Sequence, residues 1–171
     1  LRETPAPAAE AKEEWFVDRV KGGGPVTLGG LDTDSAYVVQ YTLTNIGASV
    51  EEAKLRDYFV TEADKRLHDS DPAGYAQACI DEPEKYQGHY PLLRPVTVRG
   101  RNDKDYVLRA LATRTLWVKI DGVATLPLDL ANRKWVFEGV ERGEEAETAT
   151  FSLKLYYGFA QSDETAVLKI T

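Results

Sequence analysis

The chain has 171 residues, 43% of them hydrophobic, with 21 Lys and Arg against 28 Asp and Glu and a formal charge of −7. That length fits one domain able to bury a core without staples. The scattered acidic excess argues against nucleic acid or an anionic membrane surface as direct partners, since both call for basic patches.

Residues 1–14 (LRETPAPAAEAKEE) are rich in Ala, Pro and Glu and read as a semi-extended linker. Trp15-Phe16-Val17 opens the apolar sequence as a first strand, and Lys21-Gly22-Gly23-Gly24-Pro25 breaks it. Val26-Thr27-Leu28 resumes before a loop over Gly29-Gly30 and Asp32-Thr33-Asp34-Ser35. A hairpin then follows over 36–55. On its first arm Tyr37, Val39, Tyr41 and Leu43 share one face by the period of two. Asn45-Ile46-Gly47 supplies the reversal, because glycine takes positive φ without steric cost. The return arm alternates imperfectly: Val50 falls on one side, Ala53 and Leu55 on the other.

The middle of the chain is the least regular. Asp71-Pro72 reads as a cap and first helical position for a helix over 72–80. Pro83, Gly88, Pro91 and Pro95 keep the next stretch in loops and short edge strands. Val107, Ala110 and Leu111 lie at helical spacing and predict a second helix over 103–112. Strands return at 116–120, which ends in the turn signal Asp121-Gly122, then at 126–128 and 134–141. Over 148–157, Ala149, Phe151, Leu153, Leu155 and Tyr157 alternate with Thr150, Ser152, Lys154 and Tyr156, the clearest half-buried strand. A last strand covers 167–170. Strands joined by turns with one or two short helices predict a mainly β fold, an antiparallel β-sandwich. No repeat of fixed period occurs.

Few residues point to chemistry. The glycine runs lack a GxGxxG spacing between strand and helix and are not followed by GK[ST]. Cys79 is the single cysteine, so no internal disulfide forms. His68, Cys79 and His89 are ten or eleven residues apart, without the close ligand pairs of zinc sites. Asp69, Asp71, Asn102, Asp103 and Asp105 lack the glycine and distal glutamate of a calcium loop. The histidines have no evident nucleophile partner. These observations predict no metal, no cofactor and no catalytic residue. The aromatics Tyr75, Tyr86 and Tyr90 are the candidate partner-binding residues, since tyrosine offers rigid apolar area with a polar tip. The chain holds no methionine, which reads as a processed or excised fragment, and no apolar run reaches 18 residues. This leaves room for a leader or anchor upstream of Leu1.

The segment Leu28-Gly29-Gly30-Leu31-Asp32-Thr33-Asp34-Ser35-Ala36-Tyr37, with Thr44, Gly47, Ala48, Val50, Glu51 and Leu55 in the following hairpin, resembles the start of the large periplasmic domain of YidC-type membrane protein insertases. The strands over 134–171 are similar to those near the end of that domain, and the match is weakest over 60–125. The resemblance implies a β-supersandwich like that of galactose mutarotases, with Asn45, Gly47 and Glu51 as a fold-defining turn. It implies that 1–14 is the linker from an upstream transmembrane helix and that 15–171 is a non-catalytic domain at the periplasmic face of a bacterial inner membrane, truncated at its C-terminus. Its implied partners are Sec translocon accessory subunits and nascent membrane proteins. The alternative is a carbohydrate-binding or mutarotase-like sandwich. That reading requires a histidine and a carboxylate facing each other in a concave sheet, and His68 and His89 are expected in irregular segments, which counts against it.

Overall fold

The computed structural model describes the backbone of residues 15–17, 23–101, 103–117, 127–143, 146–157 and 165–170. Among the described residues the fold is mainly β, with antiparallel sheets and two helices, in keeping with the expected class. The expected linker over 1–14 and the Asp121-Gly122 turn lie outside the described residues.

One four-stranded sheet is a meander of β2 (Val26–Gly29), β3 (Val39–Thr44), β4 (Ser49–Phe59) and β5 (His89–Leu93). The other is organised around β11 (Glu147–Tyr157), which pairs with β1 (Trp15–Val17), β10 (Val136–Arg142) and β12 (Thr165–Ile170). Two short ribbons stand apart from these sheets, β6 (Val96–Arg99) with β7 (Asp105–Leu108), and β8 (Thr115–Leu116) with β9 (Leu128–Asp129).

The alternation along β11 decides where the core sits. Ala149, Phe151, Leu153 and Leu155 all point inward and join Trp135 and Leu130. Leu28 and Leu43 of the meander pack against this cluster, and Gly29 donates its N–H to Glu147 Oε2 at 2.7 Å. Each fully buried aliphatic side chain contributes roughly 1.5–3 kcal/mol here.

The imperfect alternation of the hairpin has a structural cause. Leu43 pairs with Val50 but Thr42 pairs with Glu52, so Glu51 is an extra residue, a β-bulge. The bulge flips the parity. Val50 and Ala53 then fall on the same face as Leu43 and Tyr41, and both are buried. The turn itself is a junction. Gly47 has φ +68, its N–H reaches Arg133 O at 2.8 Å, and its carbonyl accepts from Thr113 N at 2.9 Å. A Cβ at this position would lie 2.7 Å from Ala131 O. Asn45 accepts from Trp135 N at 2.8 Å and returns a side-chain bond to Trp135 O at 3.2 Å. Asn45 and Gly47 therefore tie the first hairpin to the segment leading into β10.

The helix expected over 72–80 is α2 (Pro72–Asp81), capped by Asp71, whose carboxylate accepts from Gly74 N at 3.0 Å. It is preceded by α1 (Glu62–Ser70), opened by a capping box between Thr61 and Asp64. The helix expected over 103–112 is overturned: Asp105–Leu108 is strand β7, paired residue for residue with β6. The pairing of Val96 with Leu108 and Val98 with Tyr106 prevailed over a helical spacing that only three residues supported.

Candidate functional site

His68 and His89 do not lie in irregular segments. His68 sits in the last turn of α1, and His89 opens β5, where it pairs with Phe59 of β4. Both rings enter one aromatic group with Phe59 and Tyr75. The His68–His89 centroids are 5.6 Å apart, and Tyr75 meets His68 edge-on at 5.3 Å. Phe59 lies 5.0 Å from His68 and 4.8 Å from His89.

Asp64 holds this arrangement from below. It is 0% exposed, and its carboxylate accepts from Thr61 N at 3.0 Å, from the Thr61 hydroxyl, from Gly88 N at 2.9 Å and from the Tyr75 hydroxyl at 3.3 Å. One buried side chain thus joins the start of α1, the body of α2 and the turn into β5. Such a charge is tolerated because hydrogen bonds replace its lost water.

Above this floor opens a cavity of about 770 Å³, whose walls include Asp32, Asp34, Lys54, Tyr75, Cys79 and both histidines. Its outer wall is the loop before β3, held by Arg56. That guanidinium donates to Ser35 O at 2.8 Å and Tyr37 O at 3.2 Å while chelating Asp57 at 2.9 and 3.0 Å. The Arg56 hydrogen bonds hold the Asp57 carboxyl below its usual range.

Burial favours the neutral forms of His89 and Tyr75. His89 Nδ1 lies 2.8 Å from Arg56 O, and because a carbonyl only accepts, Nδ1 carries the proton. Burial lowers the His89 pKa below its ordinary value, and the Arg56 carbonyl opposes that shift. Burial pushes the Tyr75 hydroxyl well above its ordinary range, helped by Cys79 and Asp64 beside it. Among the described residues the buried His68 Nδ1 makes no hydrogen bond, and Asp69 Oδ1 lies 3.7 Å from it. Although His68, Cys79 and His89 line one cavity, among the described residues no three His, Cys, Asp or Glu side chains are placed to hold a metal ion.

Of the three candidate tyrosines, Tyr75 alone lines the cavity. Tyr75 is 5% exposed and serves as a wall of the cavity. Tyr86 is half-buried, with the Lys85 ammonium 4.5 Å above its ring. Tyr90 is 49% exposed on β5. Glu51, the bulge residue, binds Arg109 at 2.7 Å. The sequence reading missed Asp64 and Arg56. For Asp64 the signal was present in Thr61-Glu62-Ala63-Asp64, a capping box. No helix among the described residues is long and apolar enough to cross a membrane.

No protein-family model, curated protein or solved structure matches the chain.

Proposed function

We propose that the chain is a non-catalytic interaction domain of a YidC-type membrane protein insertase, working at the periplasmic face of the inner membrane. It assists insertion by binding Sec translocon accessory subunits or substrate chains. The observation that carries the reading is the hairpin. The residues of the resemblance, Thr44, Gly47, Ala48, Val50, Glu51 and Leu55, build one strand–turn–strand unit in which Gly47 and Glu51 have distinct backbone roles. A glycine at positive φ followed by a bulge four residues later is a geometric reason for that residue pattern. The reading is also supported by the pairing beneath the cavity, where Tyr75 donates its hydroxyl to Asp64. The test is binding of the 171-residue chain to purified Sec accessory subunits, read by surface plasmon resonance. Saturable binding is expected. No binding to those subunits or to a nascent membrane-protein segment would overturn the reading.

A second reading has one observation in its favour. Two histidines, two carboxylates and Lys54 border the same cavity, a polar set that suits a sugar. In that reading the domain is a carbohydrate-binding or mutarotase-like protein. Calorimetric titration with common hexoses should then produce heat, and silence at millimolar concentration would dismiss it.

A further inference from the structure

The β6–β7 ribbon is built differently from the rest of the fold. All eight of its residues are exposed. Residues paired directly across an antiparallel ribbon share a face, so Val96, Val98, Tyr106 and Leu108 form one apolar surface turned to water. A two-stranded ribbon of this length is marginal by itself.

Its root is firm. β5 runs along β4 until Leu93 pairs with Ala53, and the chain returns to the same strand when Ala110 bridges Val50. Between these points the ribbon leaves the sheet. Arg109 is clamped to Glu51, and Arg94 lies 3.9 Å from Glu52.

Its edges are open. Gly100 donates to Lys104 O at 2.8 Å, which sets the ladder. By antiparallel alternation the N–H and C=O of Thr97 and Arg99 point away from β7, and those of Asp105 and Val107 away from β6. Among the described residues none of these four makes a backbone bond to another segment. The local charge is also reversed. Residues 94–109 hold five Arg and Lys against two Asp, a formal +3 in a chain of −7. Among the described residues Arg101 and Lys104 have no ion pair.

We infer that the outer edge of β6 takes up an extended, acidic polypeptide segment as a third strand, with apolar side chains at alternate positions. The edge supplies ladder bonds at Thr97 and Arg99, Val96 and Val98 extend the apolar face, and Arg94, Arg99 and Arg101 select against basic chains. A bilayer fits less well, because open strand edges cannot shed their water in hydrocarbon. A second copy fits less well too, since four side chains offer far less than the roughly 800 Å² per partner of a stable interface. The inference rests on the reading of the domain as a binding module and names what it binds.

The probe is a ten-residue peptide of alternating Val and Glu, titrated into the 171-residue chain, with an alternating Val and Lys peptide as control. Amide shifts and hydrogen exchange are read residue by residue. The acidic peptide should slow exchange at Thr97 and Arg99, while the basic peptide should not. Thr97→Pro removes one outward N–H at an edge that tolerates proline and should weaken binding about tenfold. Arg94→Glu with Arg99→Glu should reverse the preference between the peptides, which a folding defect cannot do. Equal binding of both peptides, shifts confined to the α1–α2 cavity, or attachment to anionic vesicles in place of the peptide would each overturn the inference. Sec-subunit binding that Thr97→Pro leaves unweakened overturns it while leaving the insertase reading intact. Peptide binding without binding to Sec subunits or to a nascent membrane-protein segment sinks that reading alone.

Discussion

The α1–α2 cavity and the β6–β7 ribbon both branch from β4, and they resolve their polar and apolar groups in opposite directions. Around the cavity the polar atoms turn inward. Asp64 collects donors from three segments, Tyr75 gives its hydroxyl to that carboxylate, and four rings fill the space between. On the ribbon the apolar side chains face solvent, and the outward backbone groups make no backbone bond to another described segment. The chemically furnished region therefore satisfies most of its own polar groups, His68 Nδ1 excepted, and the plain ribbon has the larger unmet bonding capacity. A binding surface is better sought where groups lack partners than where chemical variety is greatest.

The sharpest way to break this contrast is Asp64→Ala. Removing the carboxylate orphans a buried donor at Tyr75 and partly buried ones at Thr61 and Gly88, and the change should cost about 3 kcal/mol, read by urea denaturation. A cost near zero would mean that the cavity floor is not a structural network. Tyr75→Phe is milder, since Gly88 N still reaches Asp64 Oδ1. It should cost about 1 kcal/mol in the same assay.

Acid probes the same side. The His89 pKa is depressed, so the unfolded state binds a proton more readily than the folded one between the depressed value and about 6.5. Stability from this group is present above that window and falls as pH drops through it. Thermal melts at pH 7.5 and 5.5 should show the loss, and His89→Asn, which keeps a donor for the Arg56 carbonyl, should flatten it. An unchanged pH dependence in the variant would remove His89 from the account. On the ribbon the smallest effect is expected. Val96→Ser or Val98→Ser should shift folding stability by no more than about 0.5 kcal/mol, because the residues are already wet. A larger loss would mean that the ribbon packs as core.

How much of this was legible in the sequence follows the range of the interaction. The alternation of β11 and the Asp71-Pro72 start of α2 are local signals, and both elements formed. The bulge at Glu51 was visible as broken alternation, although only the register explains it. α1 escaped notice because its sequence, EADKRLHDS, is too polar for a strong apolar stripe, while its capping box was readable. β7 was misread because its exposed residues show apolar side chains on both faces, which blurs the period. The cavity was beyond reach. His68 and His89 meet only because β5 pairs with β4 at Phe59 and α1 folds back over that strand, and neither fact is written near either histidine.

The central claim is that the domain binds partner chains through the ribbon while the cavity serves as structure. Hydrogen exchange of the 171-residue chain, with and without purified Sec accessory subunits, tests it directly. The account predicts added protection at Thr97 and Arg99 and none at Tyr75, Gly88 or His89. Protection that appears at the cavity and not on the ribbon would contradict it.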